Sequence, residues 1–255
     1  VRTALAAYSL GANVENLTYI GVGAFTGTGN ALANTLVGGA GADRLDGGLG
    51  SDTASYAASS VAVNVNLATG VNSGGDAAGD VLVSIENLIG SFYDDVLAGD
   101  AGANALNGGA GIDTLVGGGG ADSLIGGTGK DTYLFDREHG ADTVNNRGQA
   151  ADGDVIRFGT DVAADQLWFR HVGNDLEVSI IGGTDRVLVS GWYETTGNHV
   201  GSFVCNDGKV LADADVENLV CAMAAFAPPP AGQTQLTTDQ HQQLDNVIAA
   251  NWKVA

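Results

Sequence analysis

Between residues 90 and 134 the large apolar positions recur every nine residues. Neither a helix of 3.6 residues per turn nor a plain strand alternation of two gives that spacing. Cut into nines, the stretch reads GSFYDDVLA, GDAGANALN, GGAGIDTLV, GGGGADSLI and GGTGKDTYL. Position eight is Leu97, Leu106, Leu115, Leu124 and Tyr133; position one is always glycine; position six is Asp95, Asn104, Asp113, Asp122 and Asp131. Glycines at positions one, two and four open backbone angles closed to other residues, so six residues fold as a tight turn. The last three residues suffice for a very short strand whose middle side chain points inward. Two nonamers then make one coil, and stacked coils make a parallel β-roll whose thin core is the leucine column.

The same pattern organises the rest of the chain. From Gly29 a first array reads GNALANTLV, GGAGADRLD and GGLGSDTAS, with Asn34, Asp43 and Asp52 at position six. Ala54 stands where a large aliphatic belongs, which predicts a weakened roll there. Val14-Glu15-Asn16-Leu17 is echoed further on by Ile85-Glu86-Asn87-Leu88, as in two copies of one plan. Residues 56–89 lose the glycine punctuation. Residues 60–67 alternate as a half-buried strand, and a second strand is expected over residues 81–85. We read this insert as wider coils continuing the stack, with a flexible elbow as the alternative, and take Asp76 and Asp80 as solvated turn acids rather than cation ligands.

After Leu134, residues 140–144 are one more degenerate turn. Strands are predicted over residues 154–158, 166–170, 176–180 and 186–190. Trp168, Phe169, Trp192, Tyr193 and Phe203 supply the bulk that covers the open end of a solenoid. Two helices close the chain. One starts at Asp213 as N-cap, carries Val216, Leu219, Val220 and Met223 on one face, and stops before Pro228-Pro229-Pro230. The other opens on a Thr237–Gln240 capping box and buries Leu244, Val247, Ile248 and Trp252. The expected fold is all-β: residues 1–89 a first array with flanking wider coils, 90–144 a second array, 145–210 a β-rich cap, and 211–255 a helical tail.

The pattern also stacks charge. Position-six acids two nonamers apart lie above one another: Asp95, Asp113 and Asp131 on one edge, Asn104 and Asp122 on the other. Neighbouring strands sit about 4.8 Å apart. Two carboxylates at that distance repel by roughly 1 kcal/mol in water and about 3.5 kcal/mol at an effective dielectric of 20. A column of them calls for cations between rungs, and an all-oxygen cage of flexible geometry favours calcium. The competing reading is a Gly-rich disordered tract; register held over five units argues against it.

GGAGIDTLV and GGGGADSLI resemble the GGxGxDxUx signature of the RTX (repeats-in-toxin) family, whose repeats bind calcium. The resemblance implies a calcium-bound parallel β-roll in a secreted bacterial protein. Mapped onto matching positions, it implies ligands at Gly102 and Asn104; Gly109, Gly111 and Asp113; Gly118, Gly120 and Asp122; and Gly127, Gly129 and Asp131. In the first array it implies Gly39, Gly41 and Asp43, then Gly48, Gly50 and Asp52. Asn34 and Asn104 bring oxygen without charge and are expected to bind more weakly. Tyr93 replaces a turn glycine beside Asp95, so that coil is expected to be half-formed. The β-rich segment resembles the domain often found beside such arrays, and the two-helix tail resembles the uncleaved C-terminal signal of type I secretion substrates.

Composition narrows the partners. The 255 residues include 40 glycines and three prolines, the ratio of coiled β architecture rather than of a linker. With 10 basic and 30 acidic residues the formal charge is −20. That disfavours nucleic acid and anionic membrane surfaces and favours metal cations. No 18-residue apolar run is present, so no membrane span is expected. Val1-Arg2-Thr3 is no translation start, and the chain is expected to be the tail of something longer. Cys205 and Cys221 lie outside the repeats, paired or free. His139, His171, His199 and His241 are scattered, with no HExxH, GxSxG or CxxC, so no enzyme is expected. The leading expectation is a calcium-binding module that folds on extracellular calcium and supports export by the type I secretion apparatus. An adhesive module for a cell surface or polysaccharide, using Trp168 and Trp192, is the alternative; part of a secreted hydrolase is a third.

Overall fold

The computed structural model describes residues 1–146 and 152–254. Residues 147–151 of the expected cap, and Ala255, lie outside them. Strands of mostly three residues are laid alternately on two walls of a roll. One wall is a single sheet of 11 strands, running in order from Arg2–Thr3 through Asn16–Tyr19, Thr35–Val37, Thr53–Ser55, Asn87–Ile89, Ala105–Ala110, Ser123–Thr128 and Ala141–Val144 to Arg186–Val189. All these pairings are parallel. The other wall is in two pieces. A four-stranded sheet joins Ala7–Ser9, Thr26–Thr28, Arg44–Asp46 and Val81–Val83. An eight-stranded sheet begins at Asn64–Asn66 and continues through Val96–Ala98, Thr114–Val116, Thr132–Phe135 and Val155–Phe158.

The coil of two nonamers is as expected: Leu97 pairs with Leu115, and Leu106 with Leu124. These side chains, with Leu88 and Tyr133, are completely or almost completely buried. The insert is a wide coil and not an elbow, because it supplies the last strand of the four-stranded sheet and the first of the eight-stranded one. Only Asn64–Asn66 of the alternating residues 60–67 forms a strand, however. The roll does not weaken at Ala54, which is fully buried and pairs with both Leu36 and Leu88. Nor is the Tyr93 coil half-formed: Val96–Ala98 pairs on both sides. The sequence also understates the chain before Gly29, which already forms coils. There Leu17 continues the leucine column, and a stacked Tyr19–Phe25 pair, 4.6 Å apart and nearly coplanar, fills the space left at Gly27.

At the far end the parallel wall turns antiparallel through Asp175–Ile180 and Leu167–Val172. Phe169 packs edge-on to Phe203 and against Trp252. Helix α1 (Asp213–Met223) buries Val216, Leu219, Val220 and Met223 as its spacing predicts. Its N-cap is Ala212, though, with Asp213 already inside the first turn near the positive end of the helix dipole. Helix α2 (Thr238–Asn251) starts from the Thr237–Gln240 capping box and buries Leu244 and Ile248. Trp252 follows it into the core. Cys205 is buried, Cys221 exposed, and both are free.

Candidate metal centre

Each position-six side chain lies under its own turn and reaches along the stack. The backbone N–H of Asp95 donates to Oδ1 of Asp113 (2.8 Å), that of Asp113 to Asp131 (2.8 Å), and that of Asp131 to Asp154 (2.7 Å). On the other edge Asn104 donates to Asp122 and Asp122 to Asp142, both at 2.8 Å. In the first array Phe25 donates to Asp43 and Asn34 to Asp52, both at 2.7 Å. One coil further, Asp43 donates to Asp80 and Asp52 to Glu86, both at 2.8 Å. The carboxylates therefore form ladders in which one oxygen is used up by the neighbouring coil.

The other oxygen is the informative one. Oδ2 of Asp43, Asp52, Asp113, Asp122, Asp131, Asp142 and Asp154 is buried with no hydrogen-bond partner. An unsatisfied buried acceptor costs about 1–3 kcal/mol, more when charged. Burial pushes Asp43, Asp52 and Asp131 above the usual carboxylate range. It pushes Asp113 up to about 7, aided by Asp131 and Asp95, and Asp154 up to about 6. Asp122 and Asp142, which lie against each other, are raised by burial as well.

The glycines shape the space around these oxygens. A Cβ at Gly38, Gly108, Gly117 or Gly126, all position one, would strike Oδ2 of the same turn's aspartate. At positions two and four the obstacle is a carbonyl of the preceding coil. A Cβ on Gly41, Gly48, Gly50 or Gly120 would lie 2.6–2.7 Å from the oxygen of Gly23, Asn30, Leu32 or Gly102. Gly109, Gly111, Gly118, Gly127 and Gly129 are confined likewise by Ser91, Tyr93, Asp100, Gly109 and Gly111. All nine sit at positive φ, the region L side chains avoid. Gly39 also has positive φ but meets only Tyr19 O at 3.8 Å, and Gly102 lies outside that region. Carbonyl oxygens of positions two and four thus point along the stack into the gap that the orphaned carboxylate oxygens also border. Such an all-oxygen donor set fits calcium. Among the described residues no three His, Cys, Asp or Glu side chains converge on one metal position, which is consistent with donors drawn largely from the backbone.

Three expected ligands are engaged differently. Asn34 Nδ2 donates to Val14 O (3.1 Å) and Asn104 Nδ2 to Glu86 O (2.7 Å), so an amide spans the rung. Asp95 is occupied on both oxygens by Ser91 and accepts from Val63 N–H. Asp80, read from sequence as a solvated acid, is instead buried and accepts from Asp43 N–H and the Tyr56 hydroxyl. Burial raises it to about 6. The motif also passes over Glu86, Asp142 and Asp154. A signal for them exists: each stands two residues before a buried aliphatic (Leu88, Val144, Ile156), the spacing of positions six and eight. Trp168 and Trp192, the aromatics expected to serve a polysaccharide face, are buried and unavailable for it.

Parts of the chain are similar to known proteins. Residues 28–56, 84–115 and 107–137 match the family model of the RTX calcium-binding nonapeptide repeat. Residues 175–215 match the haemolysin-type calcium binding protein related domain. The chain is 34% identical over 93 residues to the iron-regulated protein FrpA of Neisseria meningitidis serogroup C, covering 35% of this chain and 8% of that protein. The extracellular lipase LipA of Serratia marcescens aligns with 74% of this chain and 40% of its own, at 22% identity and a TM-score of 0.26.

Proposed function

We propose that this chain, whose residues 28–56 and 84–137 match RTX calcium-binding nonapeptide repeats, is a calcium-responsive folding module of a larger secreted bacterial protein. Its role is to stay open at cytosolic calcium, leave through a type I secretion apparatus, and close outside. The observation that carries the reading is the set of buried, unpartnered Oδ2 atoms, five of them on motif aspartates (Asp43, Asp52, Asp113, Asp122 and Asp131). Calcium supplies the positive charge those oxygens lack. The chain supplies the aspartates, the carbonyls of positions two and four, and the glycines that let coils approach. Asn34, Asn104 and Asp95 hold their rungs by hydrogen bonds instead and serve as spacers between calcium-bearing turns.

Magnitudes suit a switch. With a Kd near ~10⁻⁴ M, typical of extracellular modules, millimolar calcium adds roughly 1.4 kcal/mol per site. Four or five sites add about 6 kcal/mol, against a total domain stability of about 5–15 kcal/mol. At submicromolar calcium the gain vanishes. Helix α2 and the tail are the segment we assign to the export machinery. No catalytic step is assigned to this chain, and among its described residues no helix is long and apolar enough to cross a membrane.

The test is circular dichroism of the purified chain. With chelator the spectrum should be that of a disordered chain, and millimolar calcium should bring the strand signal. Identical spectra in both conditions would remove the reading.

A further inference from the structure

We propose that turn 137–142, which lies almost wholly beyond the matched repeats, completes a further calcium site with turn 117–122, bridged by Asp122 and Asp142. The inference rests on the calcium reading above and extends it to residues the repeat model does not cover, since its last match ends at residue 137.

By sequence this turn looks unfit. It reads Arg-Glu-His-Gly-Ala-Asp where the motif has Gly-Gly-x-Gly-x-Asp. Asp142 also comes 20 positions after Asp122, where the step from Asp113 to Asp131 is 18. The backbone nonetheless copies the motif. Gly118 and Gly120 hold φ of 94° and 119°; Glu138 and Gly140 hold 67° and 91°. Glu138 is one of only three non-glycine residues at positive φ among those described, a conformation that persists where its surroundings enforce it. A Cβ on Gly140 would collide with the Gly120 carbonyl, just as one on Gly129 would collide with that of Gly111. The Glu138 carbonyl oxygen faces the other turn, 3.5 Å from where a Cβ on Gly119 would stand.

The ladder continues through the same point. Asp122 N–H donates to Asp142 Oδ1, and the strand that follows, Ala141–Val144, pairs with Ser123–Thr128 with Val144 opposite Leu124. Asp122 is 3% and Asp142 1% exposed, and each leaves Oδ2 buried without a partner. A third orphan lies in the same turn: His139 Nδ1 is buried and unpartnered. Two anionic oxygens, a turned carbonyl and the backbone of a motif turn are the donor set of the repeats proper. The two-residue insertion that hides the site in sequence is absorbed before Glu138, in the stretch where Arg137 is tied to Asp161 and to the Ile181 carbonyl.

Isothermal titration of the calcium-free chain with calcium tests this, comparing wild type, Asp142→Asn and, as a control for lost charge, Asp239→Asn on the exposed face of α2. Asp142→Asn should bind one equivalent fewer than wild type while Asp239→Asn binds the full number. Equal stoichiometry in wild type and Asp142→Asn overturns the site while leaving the repeats' calcium intact. A wild type that takes up no calcium overturns both. If Asp142→Asn does not fold, wild-type crystals grown in calcium decide. Density for an ion between Asp122 and Asp142 supports the site; ions at Asp113 and Asp131 with only water between Asp122 and Asp142 refute it.

Discussion

Asp113 is under two opposed demands. Its Oδ1 is needed by the N–H of Asp95, while its Oδ2 is buried with nothing to accept from. Without metal that second oxygen is a liability, and the carboxyl holds its proton up to about 7. Asn104 shows the metal-free solution, an amide that donates to the preceding coil. The substitution Asp113→Asn should therefore have opposite signs in two conditions. In chelator, where the chain is disordered, it should leave the residual strand signal unchanged or raise it. In millimolar calcium it should lower stability by at least about 1.4 kcal/mol, the contribution of one site. Melting curves of both proteins in calcium and circular dichroism of both in chelator check this; unchanged stability in calcium would show that Asp113 holds no ion.

Within a single element, each rung is a three-residue strand with one inward side chain, so a rung has little redundancy. Leu115 is fully buried between Leu97 and Tyr133 in the paired strands. Leu115→Ala should cost about 2–5 kcal/mol, as buried leucine truncations do. In urea with saturating calcium, that should appear as an earlier midpoint with an unchanged slope. The same reasoning explains which elements are legible. Thr114–Val116 and Ser123–Thr128 declare themselves through glycine, aspartate and leucine at fixed places. Asn16–Tyr19 and Thr26–Thr28 do not, because Phe25 stands level with the aspartate Asp43 and Gly27 opposite Leu45, and the Tyr19–Phe25 pair fills the space a leucine would take at Gly27. The burial of Asp80 is hidden for a related reason: its partner, the Tyr56 hydroxyl, lies 24 residues away in sequence, and nothing local announces the contact.

For the whole molecule the relevant quantity is accumulated negative charge, formally −20, part of it in rows of buried carboxylates. Asp80, Asp113 and Asp154 have folded values of about 6, 7 and 6, against about 3.9 for an unfolded aspartate. Such groups keep their protons longer in the folded chain. Their penalty is absent below about pH 4, grows as pH rises towards 7, and is complete above it. The calcium-free chain should therefore lie closer to folding at pH 5, with more strand signal, than at pH 7.5. Saturating calcium should flatten the dependence, because it holds the carboxylates ionised. Strand signal against pH with chelator, and thermal midpoints against pH with calcium, give the two curves; a chelated chain that gains strand signal from pH 5 to 7.5 would contradict the burial of these groups.

The nine-residue period alone settles the roll, its two-nonamer coil, the leucine column and the motif turns. Each of these is a local consequence of turn chemistry repeated in register. Which rungs are closed by the protein and which await a cation follows only from the folded arrangement. That division depends on whether Ser91, Tyr56, Val14 O or Glu86 O stands within hydrogen-bonding distance of a given side chain. The glycine-like backbone angles of Glu138 have the same origin. A turn that keeps only the last of the motif's three glycines is held in the motif's shape by the coils stacked on either side of it, and no local sequence pattern carries that constraint.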